Sequence, residues 1–433
     1  MAELWRNWAG EQRCAPAALE RPRSEEEVVA AVERARAAGQ KVRVAGSGHS
    51  FTDIVCTDGR LLHLGALDRV LDADPETGLV RVQAGITLHR LTEELHARGL
   101  AMENQGDIDR QALAGALATG THGTGARFRS ISSQVAGMRI VKGDGEVVDV
   151  SDEAELRAAR VGLGALGVVT EVTLRCVPAF TLRRVDEPRP LEEVLASVDE
   201  LAERYDHFEF YVFPYTDVAL VRQLERSTTL QPQPPGQLQW WFEEVALPNL
   251  AVGAAANLGK LLPPLIPSIN RTLMKVVGRT ERVDRSARVY ASRRDVRFTE
   301  MEYAIPREHG VEAIRRVLAE IERLRLPVVF PLEFRIVAGD DAYLSTAHGR
   351  DTVYIAVHQL VGMEFETYFR VVERIMDEYG GRPHWGKRHY QTAATLKPRY
   401  PEWDAFQEVR ARFDPDGLFT NPYVERVLGP VGG

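Results

Sequence analysis

Two glycine-rich stretches in the first third of the chain restrict its fold more than any other feature. Gly46–Phe51 (GSGHSF) follows directly on the predicted strand KVRVAG, and Ala112–Gly125 reads ALAGALATGTHGTG. Small residues let a backbone approach another backbone or a ligand closely. A helix-packing seam is the alternative for the second stretch, but three glycines within residues 120–125 suit a helix interior poorly. Together the stretches predict one domain that holds an extended, flat or phosphorylated ligand.

The first stretch does not match the common nucleotide-binding motifs. A dinucleotide fingerprint needs a third glycine where Phe51 stands, then a helix and a later acidic residue, and no helix is predicted directly after Phe51. The sequence contains no phosphate loop of the GK[ST] type. What remains is a tight turn whose N–H groups can hold a pyrophosphate. The alternative is a turn that only ends the strand.

The N-terminal part alternates strands and helices, which is an α/β pattern. A capping box of Ser24 and Glu27 begins the first helix, and Gly39 ends it. The turn at residues 142–145 (KGDG) predicts a hairpin over Gln134–Ser151. The other predicted elements are strands at Leu61–Leu64, Leu79–Ala84 and the end of Gly162–Val177, and a helix that begins after Thr87 and stops at Gly99.

The pattern of the sequence changes after Pro178, where we place the main domain boundary. Residues 231–236 (QPQPPG) form a proline-rich break, and Val245–Gly278 is apolar but interrupted by prolines and asparagines. We interpret Val245–Gly278 as a loop-and-helix cap over the second domain, with a membrane-touching segment as the alternative. The remaining predicted elements are strands at Phe208–Val212, Val296–Ile305, Val328–Val337 and Tyr354–Gln359, and helices at Glu308–Leu324 and Glu364–Tyr379.

Composition excludes several classes of protein. The chain of 433 residues has 54 Lys and Arg against 62 Asp and Glu, a net charge of −8, which argues against a nucleic-acid partner. No apolar run reaches the ~18 residues of a transmembrane helix, and the N-terminus lacks the pattern of a secretory signal. Cys14, Cys56 and Cys176 cannot form a disulfide framework or a four-cysteine zinc site. We therefore expect a cytoplasmic protein without a transmembrane segment.

Charged side chains concentrate at three places in the second domain. Glu333 and Arg335 are two residues apart in a predicted strand, so they point to the same side and should be partly buried. Such a pair is often structural, and His358 can equally be a core histidine. His384 begins the segment HWGKRH, which ends at His389. No spacing among His358, His384 and His389 matches a set of metal ligands, so we predict no metal.

Several of these motifs occur together in one known family. The GSGHSF turn, the ATGTHGTG tract, GALGVVTEVTL, EFR, PHWGK and the terminal DPDGLFTNPY resemble, in this order, the aldonolactone oxidoreductases. These are flavoproteins of the vanillyl-alcohol-oxidase type, and the resemblance extends from Pro16 to Leu428. It implies an α+β fold with a FAD-binding domain over residues 1–178 and a substrate (cap) domain over residues 179–433. The segment from about residue 384 to 433 is expected to return to the flavin.

The resemblance also implies where FAD binds. His49 occupies the position of the histidine that carries the flavin through an 8α bond, so covalent attachment is expected. Gly46 to Ser50 would hold the pyrophosphate. The full set of implied FAD-binding residues is Gly46, Ser47, Gly48, His49, Ser50, Phe51, Ala112, Gly115, Thr119, Gly120, Thr121, His122, Val168 and His384.

The activity that the resemblance implies is oxidation of the 2-hydroxyl of an aldono-1,4-lactone, with L-gulono-1,4-lactone as the expected substrate. A hydride would pass to flavin N5, and the product would be ascorbate or an analogue. The implied catalytic residues are Lys387, Arg335, Glu333 and His358, and Asp107 joins Glu333, Arg335 and Lys387 in binding substrate. Arg335 would need a very large pKa shift to take the hydroxyl proton, so Lys387 and His358 are the candidate acceptors.

Two other functions remain as alternatives. An alditol oxidase acting on xylitol or sorbitol would have a hydroxyl residue where Leu360 stands and a serine where Asp107 stands, so both positions favour a lactone. A flavin carrier without catalytic activity would not need Glu333, Arg335 and Lys387 in one pocket. Gly106 lies where the family narrows the access of oxygen to the flavin, which favours oxygen as the electron acceptor over another acceptor.

Overall fold

The computed structural model describes residues 3–432 except 235, 237, 239, 240, 242–248 and 293. Two hydrophobic cores dominate these residues. One is built from the N-terminal half together with the last forty residues, and the other from the middle of the chain. The site described below lies where the two bodies meet.

A small parallel sheet carries the first glycine-rich stretch. Its strands, in spatial order, are Ala18–Glu20, Arg60–His63 and Val42–Ala45. The helix Glu25–Ala37 crosses between two of them, and the side chain of Ser24 accepts the N–H of Glu27 at its start. The predicted cap and strand are therefore confirmed, and Val42–Ala45 leads directly into the turn that begins at Gly46.

The second sheet of this body is antiparallel, so the α/β pattern read from the sequence holds only for the small parallel sheet. Hydrophobic residues on its strands pack against the helices Leu88–Ala97, Leu113–Ala118 and Glu153–Ala159. The predicted hairpin is confirmed, with Val141 opposite Val147. The strands of this sheet, in spatial order, are Val147–Val150, Val135–Val141, Val168–Arg175, Leu79–Gln83 and Val70–Ala73. Short ribbons pair Trp5–Arg6 with Arg13–Cys14 and Leu100–Ala101 with Val177–Pro178.

The middle of the chain forms an antiparallel sheet whose two faces differ in chemistry. One face carries residues such as Phe210, Phe334 and Ile355, which pack under helices. The opposite face carries Glu333 and Arg335 and turns toward the first body. The strands, in spatial order, are Thr280–Arg285, Thr181–Pro190, Val218–Ser227, His207–Val212, Leu332–Val337, Thr352–Leu360, Phe298–Pro306 and Arg382–Pro383. The covering helices are Leu191–Ala196, Val198–Arg204, Gly310–Leu324 and Glu366–Glu378.

The sequence predicts a loop-and-helix cap over Val245–Gly278, and the described part of this segment is helical. The helices Val252–Leu261 and Ile266–Val276 are joined by a 3₁₀ turn at Pro263–Leu265, and Ser286–Tyr290 forms a further short helix. Residues 245–248 lie outside the described residues. Among the described residues, no helix has both the length and the apolar character needed to cross a bilayer.

The last part of the chain packs back into the first core. After the edge strand Arg382–Pro383, the helices Ala393–Leu396, Trp403–Phe413 and Pro422–Leu428 place their apolar side chains beside those of the five-stranded sheet. The Arg43 guanidinium donates to the carbonyl of Phe419, which ties this segment to the first sheet.

Candidate functional site

The two glycine-rich stretches line one large cavity in the first body. The cavity measures about 1500 Å³ including its open mouth. The predicted residues that line it are Gly46, Ser47, Gly48, His49, Ser50, Ala112, Gly115 and Thr119. The predicted residues that are not part of its wall are Phe51, Gly120, Thr121, His122, Val168 and His384.

The glycines of this wall have a direct steric role. A Cβ atom on Gly46 would lie 2.9 Å from the Cβ of Ala112, so the two stretches touch each other. Gly48 has φ +72°, a conformation that residues with side chains rarely adopt. Gly115, at the centre of the helix Leu113–Ala118, presents its bare Cα to open space, with nothing within 4 Å of an added Cβ. The cavity is therefore shaped to receive a ligand against bare backbone.

A third segment completes the cavity and was only partly found from the sequence. The turn before the strand Val168–Arg175 lines the wall with Gly164 and Gly167, both at positive φ. Val168, the residue singled out from the sequence, is instead fully buried and packs in a hydrophobic core. Its neighbours Gly167 and Val169 form the wall at this point.

His49 lies in the cavity wall, half-buried, with its ring stacked on Trp8 at 5.8 Å between centroids. Burial, followed by the nearby charge of Lys387, lowers the pKa of His49 to about 4. The imidazole is therefore neutral at physiological pH, which leaves a ring nitrogen with a free electron pair. This is the state in which a histidine can form a bond to carbon.

Arg335 is the centre of a buried ionic cluster at the interface of the two bodies. Its guanidinium contacts Glu333, lies 3.0 Å from Glu209 and lies 3.6 Å from Asp107. Asp107 also accepts from Arg294 at 2.8 Å. Burial opposes the charge of Arg335, but the surrounding carboxylates outweigh it and raise its pKa far above the usual value. Arg335 thus keeps its charge in this pocket.

The pKa of the Glu333 carboxyl group shifts in the opposite direction to the pKa of its neighbour Asp107. Burial raises its pKa, and Glu209 and Asp107 add to this rise, while Arg335 only partly opposes it. The pKa of Asp107 is lowered instead, because Arg335 and Arg294 outweigh its burial. Among these carboxylates Glu333 is the one whose pKa is raised, so its ionised form is the most basic of them.

Lys387 and His358 share a single carboxylate. Glu300 contacts the Lys387 ammonium and lies 3.5 Å from Nε2 of His358, while Nδ1 of His358 lies 3.1 Å from the carbonyl of Pro331. Burial opposes both positive charges, but Glu300 outweighs it and raises the pKa of Lys387 and of His358. Lys387 is therefore protonated at neutral pH, and Glu300 favours the protonated form of His358.

A second acid on the same strand holds another pair of histidines. Glu302 lies 3.4 Å from Nε2 of His122, whose ring stacks on Tyr354 at 3.6 Å between centroids. The ring of His384 lies 5.7 Å from that of His122. Among the described residues, His122, Glu302 and His384 are grouped closely enough to hold a metal ion. Nδ1 of His122 bonds to the carbonyl of Gly123, and Nδ1 of His384 accepts the N–H of Gly386.

The sheet itself brings these clusters together. Glu300 lies directly opposite His358 in the strand register, and Glu333 lies opposite Ala356 on the same strand as His358. The second glycine-rich stretch leads from the cavity to this face, since the N–H of Gly125 bonds to the carbonyl of Ile336. The sequence reading missed Glu209, Glu300 and Glu302. The two-residue spacing of Glu300 and Glu302 in a predicted strand was the available signal.

The comparisons with known proteins agree with this arrangement. The sequence matches a FAD binding domain over residues 16–151 and the D-arabinono-1,4-lactone oxidase family over residues 172–427. L-gulono-1,4-lactone dehydrogenase of Mycobacterium tuberculosis (strain CDC 1551 / Oshkosh) is 52% identical over 99% of this chain and 100% of that protein. L-gulonolactone oxidase of Bos taurus is 33% identical over 98% of each chain. A solved solvent-stable cholesterol oxidase has a similar fold, with a TM-score of 0.84 at 20% identity, covering 99% of this chain and 98% of that chain.

Proposed function

Because the chain belongs to the D-arabinono-1,4-lactone oxidase family, we propose that it oxidises the 2-hydroxyl of an aldono-1,4-lactone, with L-gulono-1,4-lactone as the preferred substrate. The family and the α+β fold with a FAD-binding domain, both predicted from motifs, are confirmed. The substrate rests on the 52% identical relative named for L-gulono-1,4-lactone. The observation that carries the proposal is the buried cluster around Arg335 next to the glycine-lined cavity.

The cavity has the features that FAD requires. The turn Gly46–Ser50 would hold the pyrophosphate through backbone N–H groups, and Gly115 leaves open space for a flat ring system. His122 and His384, on the side that faces the second body, would contact the cofactor there. When bound, FAD supplies the acceptor for the hydride that leaves the substrate carbon. Gly46, Ser47, Gly48, Ser50, Phe51, Ala112, Thr119, Gly120, Thr121 and Val168 stay predicted FAD contacts.

His49 is the proposed attachment point of the flavin. Its neutral imidazole lines the cavity, and stacking on Trp8 holds the ring in one orientation. Acid precipitation of the wild-type protein should leave the yellow colour in the pellet, and the His49→Ala variant should release it. Colour that leaves the wild-type pellet as well would reject the bond.

Arg335 and Glu333 are proposed to act on the reacting hydroxyl. Arg335 is charged and fixed by three carboxylates, so its N–H groups can orient and polarise the substrate oxygen. Glu333 accepts the proton, because its raised pKa makes its ionised form a stronger base than an ordinary carboxylate. Asp107, which lies 3.6 Å from the Arg335 guanidinium, would bind a further hydroxyl of the lactone.

Lys387 is proposed to supply positive charge beside the cofactor. Its ammonium influences the pKa of His49, which places it near the proposed attachment point, and it lies 5.4 Å from the centre of the Phe51 ring. Since Glu300 keeps Lys387 protonated, this charge stabilises the negative charge that arrives with the electrons. His358, fixed by the same carboxylate, forms the adjoining polar wall.

The electron acceptor expected from the sequence was oxygen, on the argument that Gly106 leaves room. In the structure a Cβ on Gly106 would lie 3.1 Å from the carbonyl oxygen of His122, so the space beside this glycine is narrow. The argument for oxygen from Gly106 is therefore weaker than the sequence indicated.

A cytoplasmic location also stays a proposal, supported by the free thiols of Cys14, Cys56 and Cys176.

A substrate panel tests the function. Protein loaded with FAD should oxidise L-gulono-1,4-lactone and D-arabinono-1,4-lactone faster than xylitol or sorbitol, with peroxide release and dye reduction followed in parallel to identify the acceptor. The Glu333→Gln variant should keep FAD and lose most turnover, as proton transfer contributes roughly 10²–10⁴-fold. Preference for the polyols, or full activity of Glu333→Gln, would contradict the proposal.

A further inference from the structure

Exposed leucines cluster at one place on the surface, the connection between the helices Val252–Leu261 and Ile266–Val276. Leu261, Leu262 and Leu265 are 77%, 49% and 44% exposed, and Pro263 and Pro264 between them are exposed as well. We call residues 261–265 the apolar tip. Five consecutive exposed residues form a projection rather than a groove. The tip is therefore better suited to insert into a lipid phase than to bind a partner protein in a groove.

The backbone of the apolar tip needs few hydrogen bonds from water. Pro263 and Pro264 have no N–H group. The N–H of Leu262 bonds to the carbonyl of Leu258, and the N–H of Leu265 bonds to the carbonyl of Leu262. Transfer of the tip into an apolar medium therefore leaves no N–H of these four residues without a partner, which removes one of the costs of insertion into lipid.

The charges in the segment that carries the apolar tip are of one sign. Residues 245–280 contain no Asp or Glu, although the chain carries 62 of them in 433 residues. Lys260, Arg271 and Lys275 are exposed in this part of the chain, and the described residues give Arg271 and Lys275 no carboxylate within 4 Å. A local basic surface on a chain of net charge −8 fits an anionic surface.

The tip is anchored firmly on its inner side. Ile266 and Ala256 are fully buried in a small core that also contains Phe51 and Phe298, next to the proposed site. The buried amide of Asn270 donates to the carbonyls of Pro214 and Val328, each at 3.1 Å. The tip therefore projects from a fixed support close to the proposed site.

From these observations we propose that the apolar tip and its basic residues dock the protein on the surface of an anionic lipid bilayer, with Leu261, Leu262 and Leu265 entering the headgroup region. Self-association through the same patch is disfavoured, since a two-fold contact would bring Arg271 and Lys275 of both copies together. The inference is independent of the substrate and of the proposed catalytic residues.

Vesicle flotation tests the proposal on the protein loaded with FAD. Wild-type protein should float with phosphatidylcholine vesicles that contain about 30% phosphatidylglycerol and bind pure phosphatidylcholine vesicles much less. The triple variant Leu261→Ser/Leu262→Ser/Leu265→Ser should bind on the order of 100-fold more weakly. The variant Arg271→Gln/Lys275→Gln should bind roughly 25-fold more weakly, at about fivefold per basic residue, and the wild-type affinity should fall with added salt.

Matched variants control for general effects of lost leucines or charges. Leu71→Ser/Leu79→Ser/Leu324→Ser removes three exposed leucines elsewhere, and Arg323→Gln/Arg374→Gln removes two exposed arginines. Both controls should bind vesicles like the wild type, and all variants should keep the wild-type turnover with a soluble dye. No flotation of the wild type, equal binding by the tip variant, or a tip variant that only turns a dimer into a monomer would each overturn the proposal.

Discussion

Glu300 and Glu302, two residues apart on the strand Phe298–Pro306, face the same pocket but hold different partners. Glu300 contacts Lys387 and His358, whereas Glu302 lies beside His122 and near His384. One strand thus contacts ionisable groups contributed by both bodies. Neither acid needs to touch the substrate to affect the reaction.

We expect the Glu300→Gln substitution to lower kcat about 100-fold, the scale of a mispositioned catalytic group, while KM changes little. The amide removes the charge that raises the pKa of His358 and of Lys387. The limb of the pH–rate profile that reports His358 should therefore move to lower pH. Steady-state kinetics over a range of pH checks both effects.

The exposed acid Glu308 provides the control, because Glu308→Gln removes a charge from the turn after the same strand. Its kinetics should match the wild type. An unchanged pH profile in Glu300→Gln with a lowered kcat would assign Glu300 a purely structural role.

Gly115→Leu should separate the stability of the protein from cofactor binding. The helix Leu113–Ala118 should gain up to ~1 kcal/mol from the loss of a helix glycine, while the new side chain enters the open cavity. The protein without FAD should then melt at a slightly higher temperature, and FAD uptake measured by absorbance should be lost. Gly115→Ala, a smaller intrusion, should weaken uptake less, and normal uptake by the leucine variant would exclude this cavity as the FAD site.

Acid should destabilise the protein through its buried neutral histidines. Burial lowers the pKa of His207 to about 4, and the ring is held by the carbonyl of Thr124 and the hydroxyl of Tyr290. A lowered histidine pKa means that the unfolded chain binds the proton first, so stability present above pH 6.5 is lost as the pH falls to about 4.

The loss in the free energy of unfolding that we assign to His207 is about 3 kcal/mol, at 1.4 kcal/mol per pKa unit. Urea unfolding at pH 7 and pH 4 measures it. The difference between the two free energies of unfolding should be about 3 kcal/mol smaller in His207→Gln than in the wild type. Equal differences in the two proteins would show that His207 does not titrate on unfolding.

Arg43→Met should be among the most destabilising single changes in the first body. The buried guanidinium donates to the carbonyls of Ile54, Leu163, Gly164 and Phe419. Its removal takes a donor from all four acceptors, of which the Ile54 carbonyl keeps the Asn421 amide, at a cost of roughly 3–5 kcal/mol in the free energy of unfolding. Chemical denaturation checks this value against Arg36→Met, an exposed arginine whose loss should change stability by less than about 0.5 kcal/mol.

The sequence predicts elements that depend on local signals. The helix after Ser24 follows from its cap, and the hairpin around residues 142–145 follows from its turn residues. The strand that carries Glu333 and Arg335 follows from its apolar neighbours, although it begins at Leu332 and not at Val328. Each of these signals acts over a few residues and therefore appears in one sequence.

Features that depend on pairing between strands far apart in the chain cannot be predicted from such local signals. The alternation of strands and helices in the first hundred residues indicated an α/β pattern, but the strand Leu79–Gln83 pairs antiparallel with both of its neighbours. Glu209 and Glu300 come to lie opposite Arg335 and His358 only through the register of a sheet whose strands are far apart in the chain. Val168 follows from a motif, and its neighbours Gly167 and Val169 line the cavity, while contact of FAD with the backbone of Val168 stays a prediction.

The return of the C-terminal segment into the first core has a consequence for biosynthesis. Phe406, Tyr423 and Val427 fill the same core as Val80 and Leu91, yet a ribosome makes them more than 300 residues later. A nascent chain thus carries every strand of its N-terminal sheets long before the side chains that complete their packing exist. The first core can therefore be completed only once the C-terminal segment has been made, and until then part of its apolar surface stays uncovered.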